Sequence, residues 1–220
     1  MIHKYDVYRS PNVGLFTRTN DKTLLLPFGF ADTKTKKLKE YLDVKEIIHV
    51  SIAGTRLIGP MTVMNNNGIL LPSTVSDDEM QILKQTGLNV ERLNSKFTAI
   101  GNLISANDKG AIVSNLFGEE VDQPIEDTLG VPIQKMSIGG FVQVGSMVVT
   151  TNAGAIVHPN ANDAEINRIS EILQIEAEPA TVNGGSPFLS SGLIANFSSV
   201  IVGNLTTGPE LIMISRALKV

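Results

Sequence analysis

Thr23-Leu24-Leu25-Leu26-Pro27 is a short unbroken apolar run, and the chain repeats it four more times. The counterparts are Gly68-Ile69-Leu70-Leu71-Pro72, Gly110-Ala111-Ile112-Val113-Ser114, Gly154-Ala155-Ile156-Val157-His158 and Ser199-Val200-Ile201-Val202-Gly203. Their first residues lie 45, 42, 44 and 45 positions apart. A fixed period of this length means one structural unit used five times. Three residues before each run stand Asn20, Asn65, Asn107, Thr151 and Asn196, and six before those stand Gly14, Gly59, Gly101, Gly145 and Ser190. Asn near Gly suits the φ > 0 turn of a tight hairpin, so each unit is expected to open as strand, turn, strand.

Helix signals follow each second strand. Ser76 with Glu79, Asn162 with Glu165 and Thr207 with Glu210 place a capping oxygen three residues before a carboxylate that can reach back to the cap amide. Met80, Leu83 and Leu88, then Ile166, Ile169, Ile172 and Leu173, then Leu211, Ile214 and Leu218 give each helix one apolar face. Segments 36–42 and 124–129 read as shorter helices. Third strands are expected over 46–53, 90–94, 133–138 and 175–182, and the fifth unit lacks one. Residues 2–8 alternate apolar and polar, so an N-terminal strand is available to complete the fifth unit. The expected fold class is α+β, a five-fold ring of ββαβ units closed by that strand, in one domain spanning 1–220. The units run over about 11–54, 55–96, 97–140, 141–186, and 187–220 with 1–10. Closure removes the two unpaired ends of an open array, and an open solenoid is the alternative.

Composition excludes several chemistries. The 220 residues include no cysteine, which removes disulfides, thiolate-ligated metals and thiol nucleophiles, and only three histidines, His3, His49 and His158. No apolar run approaches the roughly 20 residues that span a bilayer, and the N-terminus lacks a signal-peptide layout, so a cytoplasmic location without membrane contact is expected. The formal charge of −4 argues against indiscriminate binding to nucleic-acid phosphate. That charge is uneven: residues 1–60 carry a net +4 and residues 61–220 a net −8.

In order and spacing, a set of strings resembles archaeal members of the translation initiation factor 6 family. They are Ser51-Ile52-Ala53-Gly54-Thr55-Arg56, Asn67-Gly68-Ile69-Leu70-Leu71-Pro72, Ala99-Ile100-Gly101-Asn102, Gly154-Ala155-Ile156-Val157-His158-Pro159, Thr181-Val182-Asn183-Gly184-Gly185-Ser186 and Thr206-Thr207-Gly208-Pro209-Glu210. The resemblance covers essentially the whole chain. It implies the pentein fold and a non-enzymatic, cofactor-free factor that binds the large (50S) ribosomal subunit on its intersubunit face, beside the sarcin-ricin loop. There it would prevent joining of the small (30S) subunit, with a role in large-subunit maturation. A monomer docking on ribosomal protein, with rRNA at the margin, is expected of an acidic factor.

The site residues expected to bind the ribosome are those of the family strings that break the internal repeat: Arg56, Asn102, Asn183 and Asn204. The repeated asparagines read instead as turn formers. No catalytic or metal-binding residue is assigned. Asp77-Asp78-Glu79 and Glu119-Glu120 read as helix-start and loop carboxylates. His158 reads as a strand-end turn residue and His49 as part of a polar strand face. Lys34, Lys36, Lys37 and Lys39 read as a solvated helix face, with an RNA-touching patch as the alternative. Two rival functions are a pentein hydrolase with a non-cysteine nucleophile, which requires carboxylates and a base converging in the channel, and a scaffold for another protein partner.

Overall fold

The computed structural model describes all residues, Met1–Val220. After β1 (Ile2–Lys4) the chain passes through five similar units, each a short helical turn, two strands and a longer helix, followed in the first four by a third strand. Unit 1 contains α1 (Val13–Phe16), β2 (Arg18–Thr19), β3 (Thr23–Leu26), α2 (Asp32–Leu42) and β4 (Glu46–His49). Unit 2 contains α3 (Ile58–Met61), β5 (Val63–Met64), β6 (Gly68–Pro72), α4 (Asp77–Lys84) and β7 (Asn89–Leu93). Unit 3 has a 3-10 turn (Ile100–Asn102) in place of the short helix, then β8 (Ile104–Ala106), β9 (Ala111–Ser114), α5 (Asp122–Leu129) and β10 (Ile133–Met136). Unit 4 contains α6 (Val144–Met147), β11 (Val148–Thr150), β12 (Ala155–Val157), α7 (Asp163–Leu173) and β13 (Ala177–Pro179). Unit 5 contains α8 (Leu189–Gly192), β14 (Leu193–Ala195), β15 (Val200–Val202) and α9 (Gly208–Leu218).

Each unit holds one three-stranded sheet whose middle strand is the repeated apolar run. The middle strand pairs antiparallel with the strand before it and parallel with the strand after the helix. In the fifth sheet the parallel partner is β1, with Ile2 opposite Val200 and Lys4 opposite Val202. The N-terminal segment thus fills the place that the fifth unit leaves open, although as a strand of three residues.

The cores explain why the middle strands are apolar without alternation. Leu24 and Leu26 pack with Ile194 and Ile201 of unit 5, whereas Leu25 packs with Ile69 and Leu71 of unit 2. Each middle strand is covered on both faces, and such strands read as continuous runs. Five clusters join the units in this way: 1 to 2, 2 to 3, 3 to 4, 4 to 5, and 5 back to 1. No cluster belongs to one unit alone.

The glycines mark where backbones meet. A Cβ on Gly59 would lie 1.7 Å from the Gly14 carbonyl oxygen, one on Gly101 2.2 Å from that of Gly59, and one on Gly145 2.3 Å from that of Gly101. Gly14 meets Ser190 at 1.9 Å in the same sense, so the short helices touch in cyclic order. The sequence pattern does not announce these short helices, because four residues are too few to show a helical period.

The hairpin expectation requires a correction. Strand, turn, strand is present in all five units, but Gly68, Gly110 and Gly154 do not adopt positive φ. They are glycines because a Cβ would lie about 2 Å from the carbonyl oxygens of Thr128, Ile172 and Ala217, the last turns of the neighbouring helices. The turn is made by the asparagine side chain in four units and by the Thr151 hydroxyl in unit 4. Oδ1 of Asn65 accepts from the amides of Asn67 and Gly68 at 3.0 and 2.9 Å. Its Nδ2 donates to the carbonyls of Asn107 and Leu129 in the next unit at 3.0 and 2.8 Å. Asn107 repeats this toward Thr151 and Leu173, and Asn196 donates to Leu42 of unit 1.

Candidate functional site

The parallel pairing of β3 with β4, and its equivalents in the other units, puts the C-terminal ends of both strands on the same side. The inter-unit contacts align all five units, so the molecule has two unlike faces. One carries the asparagine turns and the C-termini of the long helices. The other carries the strand ends, the short helices and the N-termini of the long helices, and all four sequence-selected residues lie there.

Tight turns shape this second face. Tyr8-Arg9, Ala53-Gly54, Gly139-Gly140 and Asn183-Gly184 follow β1, β4, β10 and β13 with positive φ, each closed by a bridge such as Ile52 to Thr55. The helix-capping glutamates reach these turns. Glu79 caps α4 through the amide of Ser76 and also accepts from the amides of Ala53 and Gly54 at 3.1 and 2.9 Å and from Ser51 Oγ at 2.7 Å. Glu210 accepts from Gly184, Gly185, Thr207 and Thr181 Oγ1 at 2.7–3.0 Å. Burial disfavours its charge, but these hydrogen bonds outweigh that effect and hold its pKa at about 2. Glu79 is lowered by the same balance. The three capping boxes expected from the sequence are present, and all three carboxylates have this second task, since Glu165 accepts from the Gly139 amide at 3.0 Å.

Arg56 is exposed just past the Ala53-Gly54 turn, forms no ion pair, and lies 5.6 Å from the centroid of the Tyr8 ring. Asn102 ends the 3-10 turn beside Gly145, partly exposed, with no side-chain hydrogen bond. At the equivalent positions the other units have Pro11, Thr98, Val142 and Pro187 for Arg56, and Leu15, Pro60, Ser146 and Ser191 for Asn102. Asn183 is bound internally: its Nδ2 donates to Pro11 at 2.9 Å, its Oδ1 accepts from Thr206 Oγ1, and its φ of 54° lies in the turn. Asn204 is exposed, with its backbone amide donating to Asp6. Asp6, Tyr8 and Pro11 thus gather Asn204, Arg56 and Asn183 along one N-terminal segment, and Asn102 stands apart from it.

Sequence reasoning misses the exposed apolar residues. Of the ten large apolar side chains that remain exposed, seven lie on this face: Tyr8, Phe28, Leu57, Leu116, Phe141, Phe188 and Leu205. They are single residues in loops, so no periodicity announces them, and only the fold brings them together. A shallow groove of about 500 Å³ runs between Phe28 and the α4 start, and another of about 400 Å³ lies between Lys96 and Leu116.

The histidines do not converge. His3 stacks on Tyr41 at 3.9 Å, His49 contacts the Pro27 carbonyl, and buried His158 accepts from the Asn160 amide, with burial lowering its pKa. Asp77 pairs with Arg92, consistent with a helix-start role. Lys34, Lys36, Lys37 and Lys39 lie along α2, and Lys37 sits over the rings of Tyr5 and Tyr41. Those aromatic partners come one from the N-terminal segment and one from the end of the same helix, an arrangement the lysine run alone does not show.

The eIF-6 family profile matches residues 2–217. The chain belongs to the eIF-6 family. It is 48% identical over 217 residues to translation initiation factor 6 of Cenarchaeum symbiosum, covering 98% of both chains. The corresponding protein of Nitrosopumilus maritimus gives the same identity and coverage. That of Pyrococcus horikoshii is 37% identical over 223 residues, covering 99% of this chain and 98% of its own. This eIF-6 family chain is a mixed α and β protein of five small sheets, and none of its helices is long and apolar enough to cross a membrane.

Proposed function

We propose that this chain is a cytoplasmic translation initiation factor that binds the large ribosomal subunit on its intersubunit face and blocks joining of the small subunit. It does so as a single pentein domain, a five-fold ring over residues 1–220 closed by β1, acting as a monomer without catalysis. The ribosomal reading rests on the names of relatives that match over their full length. The observation that carries the choice of face is the collection of exposed apolar side chains around an unpaired Arg56 on one side only. Apolar anchors and an arginine that need little reordering are what a protein-docking surface requires. Arg56 and Asn102 make direct contacts in this reading, Asn183 holds the adjoining turn in place, and Asn204 lies at the edge. The lysines of α2 with Tyr5 and Tyr41 then face RNA at the margin. A hydrolase reading finds no support in the geometry, because Asp21 and Asp108, which line one mouth of the space enclosed by the five units, have no histidine beside them.

Sedimentation tests this. The pure protein should travel with isolated large subunits through a sucrose gradient and reduce the yield of joined ribosomes. If it stays at the top of the gradient with every subunit preparation, the proposal fails.

A further inference from the structure

The units surround a narrow channel, lined along the inner strands by one residue from each unit per layer. One layer consists of Thr19, Met64, Ala106, Thr150 and Ala195, and the layer toward the short helices includes Arg18, Ser105, Val149 and Ile194. Arg18 is the only charge in that layer, at a position where the other units have Val63, Ser105, Val149 and Ile194. Its guanidinium presents five N–H donors. It makes no hydrogen bond and no ion pair.

The channel wall offers it no counter-charge. Ser105 Oγ donates to Val148, Thr19 Oγ1 to Asn20 and Thr23, and Thr150 Oγ1 to Thr151. The nearest acidic pair in the channel, Asp21 and Asp108, stands at the opposite mouth, three residues of strand away at about 3.3 Å each. Those carboxylates are already engaged. Asn66 Nδ2 donates to both at 2.6 Å and Asn152 Nδ2 to Asp108 at 2.6 Å and to Asp21 at 3.4 Å, closing a four-membered belt across that mouth. Arg18 keeps part of its surface open to the channel, and burial of the remainder lowers its pKa to about 10.

The free space beside this layer is about 40 Å³. A single water needs about 10–15 Å³ of such space, so it admits a monatomic anion with one or two waters and not a nucleotide. We propose that the channel is an anion site in which Arg18 holds a single halide. The bound ion supplies the missing counter-charge at the centre of the molecule, so halide should stabilise the fold by mass action.

Crystals of the intact protein grown in bromide, with data collected at the bromine edge, test this directly. An anomalous peak within hydrogen-bond reach of Arg18 is expected, and a channel with no such peak would overturn the proposal. In solution, thermal unfolding is compared in chloride and in gluconate at equal ionic strength. Chloride should raise the midpoint of the native protein, increasing with concentration, and Arg18→Met should abolish the difference. Equal midpoints for the native protein in the two salts, or a chloride effect that survives in the variant, would count against it. The crystallographic measurement stands even if Arg18→Met does not fold.

Discussion

Arg56 and Tyr8 meet across the seam between the N-terminal segment and unit 2, with the guanidinium carbon 5.6 Å from the ring centroid. Tyr8 is itself fixed by edge-on contacts to Phe16 and Phe30 at 5.2 and 5.7 Å. A flexible cation is thereby held over a rigid aromatic base on an exposed face. The contact contributes roughly 0.5–1 kcal/mol, too little to be its main purpose in stability. Arg56→Glu should leave the unfolding midpoint in denaturant nearly unchanged and weaken large-subunit binding by roughly tenfold or more, equivalent to ~1.4 kcal/mol. Binding isotherms with purified subunits provide the check, and an unaltered affinity would remove Arg56 from the docking surface.

Asn65 should behave in the opposite way. Its side chain closes its own turn and satisfies two buried carbonyls of unit 3. Asn65→Ala leaves those groups unpaired, at a cost of about 2–4 kcal/mol. Urea denaturation should show this loss, while the fraction that remains folded binds subunits normally.

Glycine substitutions separate close approach from mere flexibility. Gly59→Ala forces a methyl group against the Gly14 backbone, where neither side can yield, and should destabilise by roughly 3 kcal/mol or abolish folding. A Cβ added to Gly208, at the start of α9, would meet nothing within 4 Å outside its chain neighbours, and only the ring of Pro209 opposes it, so Gly208→Ala should change stability by no more than about 1 kcal/mol. Thermal melts of the pair should differ widely.

Acid sensitivity follows from Glu210. Its folded pKa of about 2 lies below the ordinary 4.5, so its contribution is complete above pH 4.5 and is lost as pH falls toward 2. Allowing for water that reaches the carboxylate, the contribution is on the order of 2 kcal/mol. Glu210→Gln should therefore be less stable than the native protein at pH 7, and the gap should narrow steadily as the pH falls toward about 2. A constant gap in denaturation free energy across that range would show that the carboxylate charge is not the source.

How far the sequence can be read depends on how local each cause is. The capping boxes at Ser76, Asn162 and Thr207 are legible because cap and carboxylate lie three residues apart. The repeat is legible because five middle strands face the same double burial. The role of Gly68, Gly110 and Gly154 is misread from sequence, since each answers to a helix in the following unit and not to its own turn. Asn183 looks like a surface residue because its partner Pro11 lies 172 positions away. Arg18 gives no signal at all, because a strand arginine resembles any edge residue until five strands enclose it. The apolar face is equally hidden, with its members scattered from Tyr8 to Leu205.

The absence of cysteine allows the choice of face to be tested with a single probe. Leu57→Cys and Phe197→Cys place one thiol on each side of the molecule, at positions that are 42% and 63% exposed. Each variant is coupled to a bulky maleimide and titrated with large subunits. Blocked binding with the adduct at position 57 and full binding with it at position 197 is the predicted result; the reverse pattern would contradict the docking face assigned to Arg56 and Asn102.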